Sequence, residues 1–342
     1  MTFVDDLLAG PRGRRLLLEF ALASDSRMGE GALHHAVFHA GHHLDPDKER
    51  ISFFTIGGTG RDSPTRPVVS AEAVAEKIAV VPLAEPTAEL LREVLQISVE
   101  QAMYWQRPEG TDALAATGPV LAQLRRVAEH LAGTSAVAWW AQDVPLDSQW
   151  CVRWREGAIA FPRVSRTLST WREKIHELET RLMGTGREYN DEWWSTPPFS
   201  LCASTRELPN GTPAGLHGVE DTSGPENAWA HRIIPPADAR IFTISGAEAW
   251  AELCGRFPLE VTAQNQNQWQ QTTGYIAKWV IPDYAQVAQH YDAVHLSVRG
   301  YLATAGRAVP ADDDHAALLA GWNPDETFWL TDKLSTTGTP VT

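Results

Sequence analysis

Apolar residues recur every three or four positions in several segments of the first half of the chain, the spacing of a helix with one buried face. The pattern is clearest in residues 120–131, with Gly133 as the expected C-cap, and in residues 168–182, which end at Gly184. A third helix is predicted to begin near Pro86, because proline is favoured in the first turn. The first half is therefore expected to be mostly helical.

Short segments rich in valine, isoleucine and tryptophan interrupt these helices and are expected to form a small antiparallel sheet. They are residues 136–141, 149–154 and 158–161. The composition then changes over residues 184–198, where glycine, asparagine and aspartate precede two consecutive prolines. We expect a boundary there, between a mostly helical lobe of residues 1–190 and an α+β lobe of residues 191–342.

The second lobe has shorter elements of both kinds. Its predicted strands are residues 199–204, 240–244, 293–298 and 327–330. Short helices are predicted after Pro282, near residues 316–319, and after Ser245, which with Glu248 makes a capping-box pattern. Glycine and proline in residues 208–227 predict a long loop, and so does the amide-rich segment 264–271.

The expected fold class is α+β: a helical first lobe with a small antiparallel sheet, and a second lobe of mixed sheet with short helices. The strand at residues 293–298 alternates, with Val294 and Leu296 on one face and His295 and Ser297 on the other. If both faces are covered, the His295 imidazole lies in a half-buried place.

Acidic residues outnumber basic ones, 43 to 29, and the formal net charge is −14 over 342 residues. Such a surface repels a phosphate backbone and an anionic lipid leaflet. The one compact basic cluster, Arg12, Arg14 and Arg15, is too short for a nucleic-acid-binding stripe. We therefore expect neither nucleic acid nor a membrane as a partner.

No stretch reaches the 18 apolar residues that a membrane span requires, so the protein is expected to be soluble and cytoplasmic. Its three cysteines, Cys151, Cys202 and Cys254, are far apart and follow no metal-binding spacing. They are predicted to be small buried side chains in a reducing compartment.

The common catalytic motifs are absent: there is no Walker-type glycine loop with its lysine, no GxSxG and no HExxH. Residues 57–60 (GGTG) resemble a phosphate loop but have neither a lysine nor a following helix, which favours a tight turn. No cofactor is indicated by these patterns.

A histidine-rich helix offers an alternative, metal-dependent reading. His35, His39 and His42 have the spacing that brings imidazoles together around one metal, and Asp45 is within reach. They lie opposite the apolar stripe that begins at Leu33, however, where solvated side chains are usual. An exposed histidine face is the favoured interpretation.

The second lobe carries the candidate catalytic groups. His295 is the candidate for proton transfer, and Glu220 or Asp221, in the glycine- and proline-rich loop, is a second acid or base. Arg206 is a candidate anchor for an anionic substrate, to which Ser297 adds a hydroxyl. Two adjacent carboxylates alternate in direction, so only one of the pair is expected to point inward.

Tryptophan is unusually frequent, with fourteen residues. Most are expected in the core, but an excess of aromatic side chains also suits a stacking pocket or a partner interface. Trp269, inside the predicted amide-rich loop, is the one least expected in the core and is the candidate stacking wall for a substrate.

Three segments of the second lobe resemble a family of actinobacterial proteins. They are residues 239–250 (ARIFTISGAEAW), 279–305 (WVIPDYAQVAQHYDAVHLSVRGYLATA) and 320–330 (AGWNPDETFWL). This family brings no assigned activity, so the resemblance implies no catalytic residues.

A second resemblance is to ADP-ribosyltransferase-like domains, split-sheet α+β folds that bind NAD. It implies that Arg206 is the arginine of an early strand, Ser245 the serine and Glu326 the late glutamate. Glu326 lacks the companion residues of that family's glutamate, and Ser245 is also explained as a helix cap.

These observations favour an enzyme that acts on a small-molecule substrate by polar group transfer or hydrolysis at a nucleotide-like or other anionic group. The alternative is a non-catalytic module, regulatory or antitoxin-like, that binds a protein partner or a second copy of itself through aromatic surface. A pocket lined by Arg206 and His295 would favour the first, and a large exposed tryptophan patch the second.

Overall fold

The computed structural model describes residues 2–28, 31–48, 67–154, 159, 161–185, 189, 192–222 and 227–341. It confirms the α+β class: most of the helices come from the first half of the chain, and two mixed sheets come mainly from the second. The GGTG segment at residues 57–60 lies outside the described residues. None of the helices within the described residues is both long and apolar enough to cross a membrane.

Helices dominate the chain up to residue 182. The α-helices are α1 (Phe3–Ala9), α2 (Pro11–Met28), α3 (Ala32–Leu44), α4 (Ala71–Val80), α5 (Ala88–Glu100), α6 (Gly110–Ala115), α7 (Gly118–Ala132), α8 (Val164–Leu182), α9 (Ala247–Arg256), α10 (Thr262–Thr273), α11 (Tyr284–His290) and α12 (Val298–Thr304). Two short 3₁₀ helices cover Ser135–Ala141 and Ala214–Leu216.

The predicted apolar stripes explain the longest of these helices. In α7, Val120, Leu124, Val127 and Leu131 are all fully buried and Gly133 is the C-cap, as predicted. The predicted helix near Pro86 is α5, which begins at Ala88 because the hydroxyl of Thr87 accepts a hydrogen bond from the Leu90 amide.

Strands form two sheets. The strands are β1 (Gln149–Arg153), β2 (Ala203–Arg206), β3 (Trp229–Ile234), β4 (Ile241–Ile244), β5 (Pro258–Glu260), β6 (Lys278–Pro282), β7 (Ala293–Leu296), β8 (Ala308–Pro310), β9 (His315–Leu318), β10 (Thr327–Trp329) and β11 (Ser335–Val341). The larger sheet has the order β11-β3-β1-β2-β10-β7-β4 and the smaller one β5-β6-β9-β8.

The larger sheet is antiparallel except at one edge, where β4 and β7 run parallel. Its central register sets Thr327 of β10 between Ser204 of β2 and His295 of β7. All four residues of β7 are buried, which confirms that both faces of this strand are covered. The sheet therefore brings side chains from distant parts of the sequence into one buried layer.

One of the three strands predicted before residue 190 is confirmed. Residues 149–153 form β1, which pairs with β2 and β3 from beyond the predicted lobe boundary. Residues 136–141 lie in a 3₁₀ helix instead, and Thr134 caps its first turn. Val137 and Trp140 are three positions apart, so this helix places both side chains in the core. Residues 158–161 lie partly outside the described residues, and the division into two lobes stays a prediction.

Two segments in the second half form a different type of secondary structure from the one predicted. Residues 264–271 are not a loop but part of α10, whose buried polar side chains include Gln264, Gln268 and Thr272. Residues 316–319, predicted as a helix, lie in and just after β9, where an alanine-rich run fits between β6 and β8. In both cases tertiary contacts overrode the local composition.

Several predicted boundaries also move. The strand at 293–298 ends at Leu296, because Ser297 caps α12 with a hydrogen bond from the Gly300 amide to its hydroxyl. The predicted capping box fails: α9 begins after Gly246 with no side-chain cap. Pro282 ends β6, and Asp283 caps the helix that follows. The strand predicted at 199–204 is β2, shifted to Ala203–Arg206.

The three cysteines are buried, as predicted. Cys151 and Cys202 lie side by side in a small apolar cluster with Ile233 and Trp329, and their thiols interact. Cys254 packs in the main core.

Gly300 is required where α12 meets the end of β4. A Cβ atom built on Gly300 would lie 2.1 Å from the carbonyl oxygen of Ile244, a backbone atom that cannot rotate away. We expect Gly300→Ala to lower the free energy of unfolding by about 1–3 kcal/mol in a urea titration. Gly118→Ala is the matched control, because a Cβ there meets open space at the start of α7. Equal stability of the two variants would contradict this close contact.

Candidate functional site

Arg206 lies at the end of β2 and is the first member of a buried polar network. Its backbone amide and its Nε donate to the two carboxylate oxygens of Asp325, at 2.9 and 2.7 Å. The guanidinium also lies 5.1 Å from the centre of the Trp139 ring. Arg206 therefore has its charge matched by an internal carboxylate, whereas the sequence suggested an anchor for an external anion.

Asp325 holds an uncommon backbone conformation, with φ of 64°. A non-glycine residue in the left-handed region costs free energy, and the two hydrogen bonds from Arg206 hold it there. Burial raises the pKa of Asp325, and the charge of Arg206 opposes that shift. The turn before β10 is thereby anchored to β2.

The next residue, Glu326, continues the network. Its carboxylate accepts hydrogen bonds from the backbone and side-chain amides of Asn323 at 3.0 and 3.3 Å. The side-chain oxygen of Asn323 in turn accepts from the backbone amide of Glu220 at 3.2 Å. Burial raises the pKa of Glu326 to about 7, although the bonds from Asn323 work against the shift. Glu326 is therefore close to half protonated at neutral pH.

Glu220 is a third carboxyl group of the network, and it is buried. Tyr301 donates its hydroxyl to one oxygen at 2.7 Å, and the Gly321 amide donates to the other at 2.7 Å. Burial nevertheless raises the pKa of Glu220 to about 8. The side chain is thus mostly protonated at neutral pH and becomes a strong base when it ionises.

Asp221, the neighbour of Glu220, points the other way. Its carboxylate is exposed and accepts a hydrogen bond from the indole of Trp105 at 3.1 Å. This confirms that one carboxylate of the pair points inward and the other outward. Asp221 also has a positive φ of 52°, so the chain reverses direction between the two side chains.

Tyr104 continues the network toward the helices. Its hydroxyl and that of Tyr301 influence each other's pKa, yet the Tyr104 hydroxyl has no partner in hydrogen-bond geometry within the described part of the chain. Burial, and after it the nearby Glu220, raise the pKa of Tyr104 well above its usual value. Tyr104, Tyr301 and Glu220 therefore form a row of three groups that can each hold a proton.

His295 lies in the same layer but is held neutral. Its Nδ1 lies 2.9 Å from the hydroxyl of Thr327, and its Nε2 has no partner among the described residues. Burial, together with the charge of Arg206, lowers the pKa of His295 to about 3. An imidazole with that pKa is a weak base at neutral pH, and the role in proton transfer predicted for it stays untested.

Ser297 and Trp269, two other candidate site residues, contribute to the fold. Ser297 is 2% exposed and caps α12. Trp269 is fully buried in α10, where its indole donates to the carbonyl of Trp193 at 2.8 Å and meets Trp279 edge to face. The expectation that Trp269 stands apart from the core is wrong, because α10 packs that face inward.

The histidines of α3 do not assemble a metal site. The Nε2 atoms of His35 and His39 are 3.1 Å apart, but no three His, Cys, Asp or Glu side chains of the described residues are grouped to hold a metal ion. The carboxylate of Asp45 accepts from the Gly110 amide instead. Leu33 and the rest of the apolar stripe are buried, as predicted.

Tyr104 lies in the wall of a cavity of about 680 Å³, which we call the arginine cavity. Four arginines line it: Arg12 and Arg14 from α2, Arg107 from the segment before α6, and Arg307 after α12. The carboxylates in its wall are Glu109 and Asp112. The arginine cavity therefore has an excess of positive charge inside a strongly acidic protein.

The positive charges of the arginine cavity are only partly compensated. Arg12 is 2% exposed and forms an ion pair with Asp112, and Glu109 pairs with Arg15, outside the cavity. Burial lowers the pKa of the Arg14 guanidinium; Asp112 opposes this, and the charges of Arg12 and Arg307 lower it further. The Nε atoms of Arg12 and Arg14 have no hydrogen-bond partner among the described residues.

The sequence offers Glu220 and Arg206 as candidates but does not predict the arginine cavity. As a linear motif, the basic cluster on α2 is too short for a nucleic-acid-binding stripe. A usable signal was present, because Arg12 and Arg15 fall on the same helical face as buried leucines such as Leu16. Arginines on a buried face require internal partners or a ligand.

No family model, curated protein or solved structure matches this chain. Of the residues that the ADP-ribosyltransferase resemblance pointed to, Arg206 and Glu326 belong to the polar network. Ser245 instead lines a separate cavity of about 270 Å³ with Asp6 and Arg299.

The pKa of Glu220 predicts how stability changes with pH. Because the folded-state pKa is about 8 and the unfolded value about 4.5, the unfolded chain loses the proton first, and the free energy of unfolding falls as pH rises between those values. The raised pKa of Glu326 lowers the free energy of unfolding in the same way as pH rises to about 7. Glu220→Gln removes the pH dependence that Glu220 causes. We therefore expect the stability of this variant, relative to the wild type, to be higher at pH 8 than at pH 5.

Urea titrations at pH 5, 6, 7 and 8 measure this difference. The slope contributed by one group is at most ~1.4 kcal/mol per pH unit. Glu129→Gln, on the exposed face of α7, is the control and should follow the wild type at every pH. Parallel curves for Glu220→Gln and the wild type would mean that Glu220 has an ordinary pKa.

Proposed function

We propose that this protein is an enzyme that binds a small anionic substrate in the arginine cavity and acts on it by proton transfer through Tyr104. The observation that carries the proposal is the convergence of Arg12, Arg14 and Arg307 on one cavity whose wall includes Tyr104, a tyrosine whose hydroxyl has no hydrogen-bond partner among the described residues. A cavity of about 680 Å³ lies within the range of small-molecule sites.

The electrostatics favour an anion. With a net charge of −14, the protein as a whole repels anions, so a group of guanidiniums whose charge is only partly compensated is a local exception. Burial is the main cause of the lowered pKa of Arg14, and the charges of Arg12 and Arg307 lower it further, so these guanidiniums repel one another in the empty protein. A phosphate or carboxylate in the cavity would relieve this repulsion.

The row of hydroxyls supplies the chemistry. In a hydrolysis, the Tyr104 hydroxyl would first turn to donate to the oxygen of Tyr301, which is near enough for the two groups to influence each other's pKa. Water would then attack the substrate and give its proton to the Tyr104 oxygen, while Tyr104 passes its own proton to Tyr301 and Tyr301 passes its proton to Glu220. The last step follows the existing hydrogen bond from Tyr301 to Glu220. The water oxygen bonds to the substrate, the leaving group departs with the bonding electrons, and Glu220 ends protonated.

This assignment moves proton transfer from His295 to Tyr104, because the pKa of about 3 leaves His295 a poor base and it does not line the arginine cavity. The alternative of a protein-binding module required a large exposed tryptophan patch. All fourteen tryptophans lie within the described residues, and only Trp105 and Trp154 have exposed side chains. That distribution favours a small-molecule site.

Binding of inorganic pyrophosphate and of ATP, measured by isothermal titration calorimetry, tests the anion site. We expect saturable binding that weakens with added salt, as an electrostatic site requires. Arg307→Met should weaken it at least tenfold, because a hydrogen bond to a charged group contributes about 1.5–3 kcal/mol. Arg125→Met is the control, since Arg125 is 53% exposed and pairs with Asp5 on the surface.

Absence of pyrophosphate and ATP binding would refute the anion site. So would an equal loss of affinity in Arg307→Met and Arg125→Met, because a general loss of positive charge would then explain the effect.

The proton-transfer role has its own test. With any anion that the protein hydrolyses, Tyr104→Phe should retain the substrate affinity and lower kcat by a factor of about 10² or more. The rate should rise with pH through about 8, as Glu220 ionises, and Glu220→Gln should remove that rise. Unchanged kcat in Tyr104→Phe would assign the chemistry to another group.

A further inference from the structure

A second cavity, of about 590 Å³, lies on the other side of the polar network, and we call it the tryptophan cavity. Its walls come from α5, the 3₁₀ helix Ser135–Ala141, the loop around residues 208–217 and the turn that contains Asp325. No residue is shared between the walls of the tryptophan and arginine cavities.

One side of the tryptophan cavity is apolar and aromatic. Trp139 and Trp140 stand beside Leu91, Leu95 and Val298. The guanidinium of Arg206 lies against the Trp139 ring at 5.1 Å from its centre, and Arg206 is itself held by Asp325. The Trp139 indole is therefore fixed in place before any ligand arrives, which lowers the entropic cost of stacking against it.

Another part of the wall carries positive charge. Arg92 and His217 both line the cavity, and they are close enough for Arg92 to lower the pKa of His217, after the larger effect of burial. Arg92 forms no ion pair with any described residue. Two carboxylates lie in the same wall: Asp325, which is already occupied by Arg206, and Glu89 of α5, which offsets part of the positive charge of the wall.

We propose that the tryptophan cavity binds a planar aromatic molecule with one anionic group, whose ring packs on Trp139 and whose anion pairs with Arg92. An apolar body needs the aromatic and leucine side of the wall, and a single anion needs an unpaired guanidinium at its edge. This site is independent of the anion proposed for the arginine cavity, because the two walls have no residue in common.

Indole-3-acetate and its uncharged analogue indole-3-acetamide are matched probes, to be titrated into the full-length protein by calorimetry. We expect one indole-3-acetate per chain and at least tenfold weaker binding of indole-3-acetamide. Arg92→Met should lower the affinity for indole-3-acetate to that for indole-3-acetamide and leave the affinity for indole-3-acetamide unchanged. Arg125→Met should leave both affinities as they are in the wild type.

A cavity-filling variant tests the location without removing a contact of the polar network. Ala136→Phe adds a ring to the half-buried wall of the cavity and should abolish binding of both probes. Circular dichroism and the melting temperature establish that this variant is folded. Trp139→Leu should lower the affinity for both probes to a similar degree, because both pack their ring on Trp139.

Competition with pyrophosphate separates this proposal from the proposed enzyme site. Simultaneous binding of pyrophosphate and indole-3-acetate supports two sites, and failure of pyrophosphate binding alone leaves the tryptophan cavity proposal intact. Equal affinity for the two probes, unchanged affinity in Arg92→Met and Ala136→Phe, or loss of indole-3-acetate binding in Arg307→Met would each overturn it.

Discussion

The ion pair of Arg206 and Asp325 is the interaction on which the centre of the molecule depends. Both side chains are buried, at 7% and 2% exposed, so neither charge could stay there without the other. Removing one partner of such a pair typically costs about 3–5 kcal/mol. The pair joins β2 to the turn before β10 and holds Asp325 in a left-handed conformation.

The position of this turn determines the rest of the polar network. Once Asp325 is held, Glu326 can accept from Asn323, and Asn323 can accept from the backbone of Glu220. Glu220 then sits between the Tyr301 hydroxyl and the Gly321 amide. A series of hydrogen bonds thus runs from the centre of the sheet to Tyr301 in α12.

The polar network also lies between two cavities that differ in their lining: the arginine cavity is mainly basic, and the tryptophan cavity has an apolar, aromatic side. Asp325 lies in the wall of the tryptophan cavity, while the far end of the network approaches Tyr104 in the wall of the arginine cavity. Burial acts differently on the groups between them: it raises the pKa of Glu220 and lowers that of His295. Groups with shifted pKa values beside a cavity are a common feature of catalytic sites, which supports the proposal made for this one.

Local pattern in the sequence was enough to predict the α+β class and the main helices. The stripe from Val120 to Leu131 predicts α7 because burying one face of a helix requires only spacing. The prediction that Glu220 and Asp221 point in opposite directions is confirmed as well, although the cause is a turn with Asp221 in a left-handed conformation and not an extended chain. Composition likewise predicted the buried cysteines.

Only the tertiary structure determined which residues contact the buried polar and aromatic side chains. Residues 264–271 became a helix and Trp269 a core residue because neighbouring elements cover that segment, which an amide-rich composition does not reveal. Arg206 was paired internally and the arginines of α2 were turned toward a cavity by residues up to 300 positions away. Sequence spacing specifies which face of one element is buried, whereas the charge that meets a buried side chain depends on contacts between distant segments.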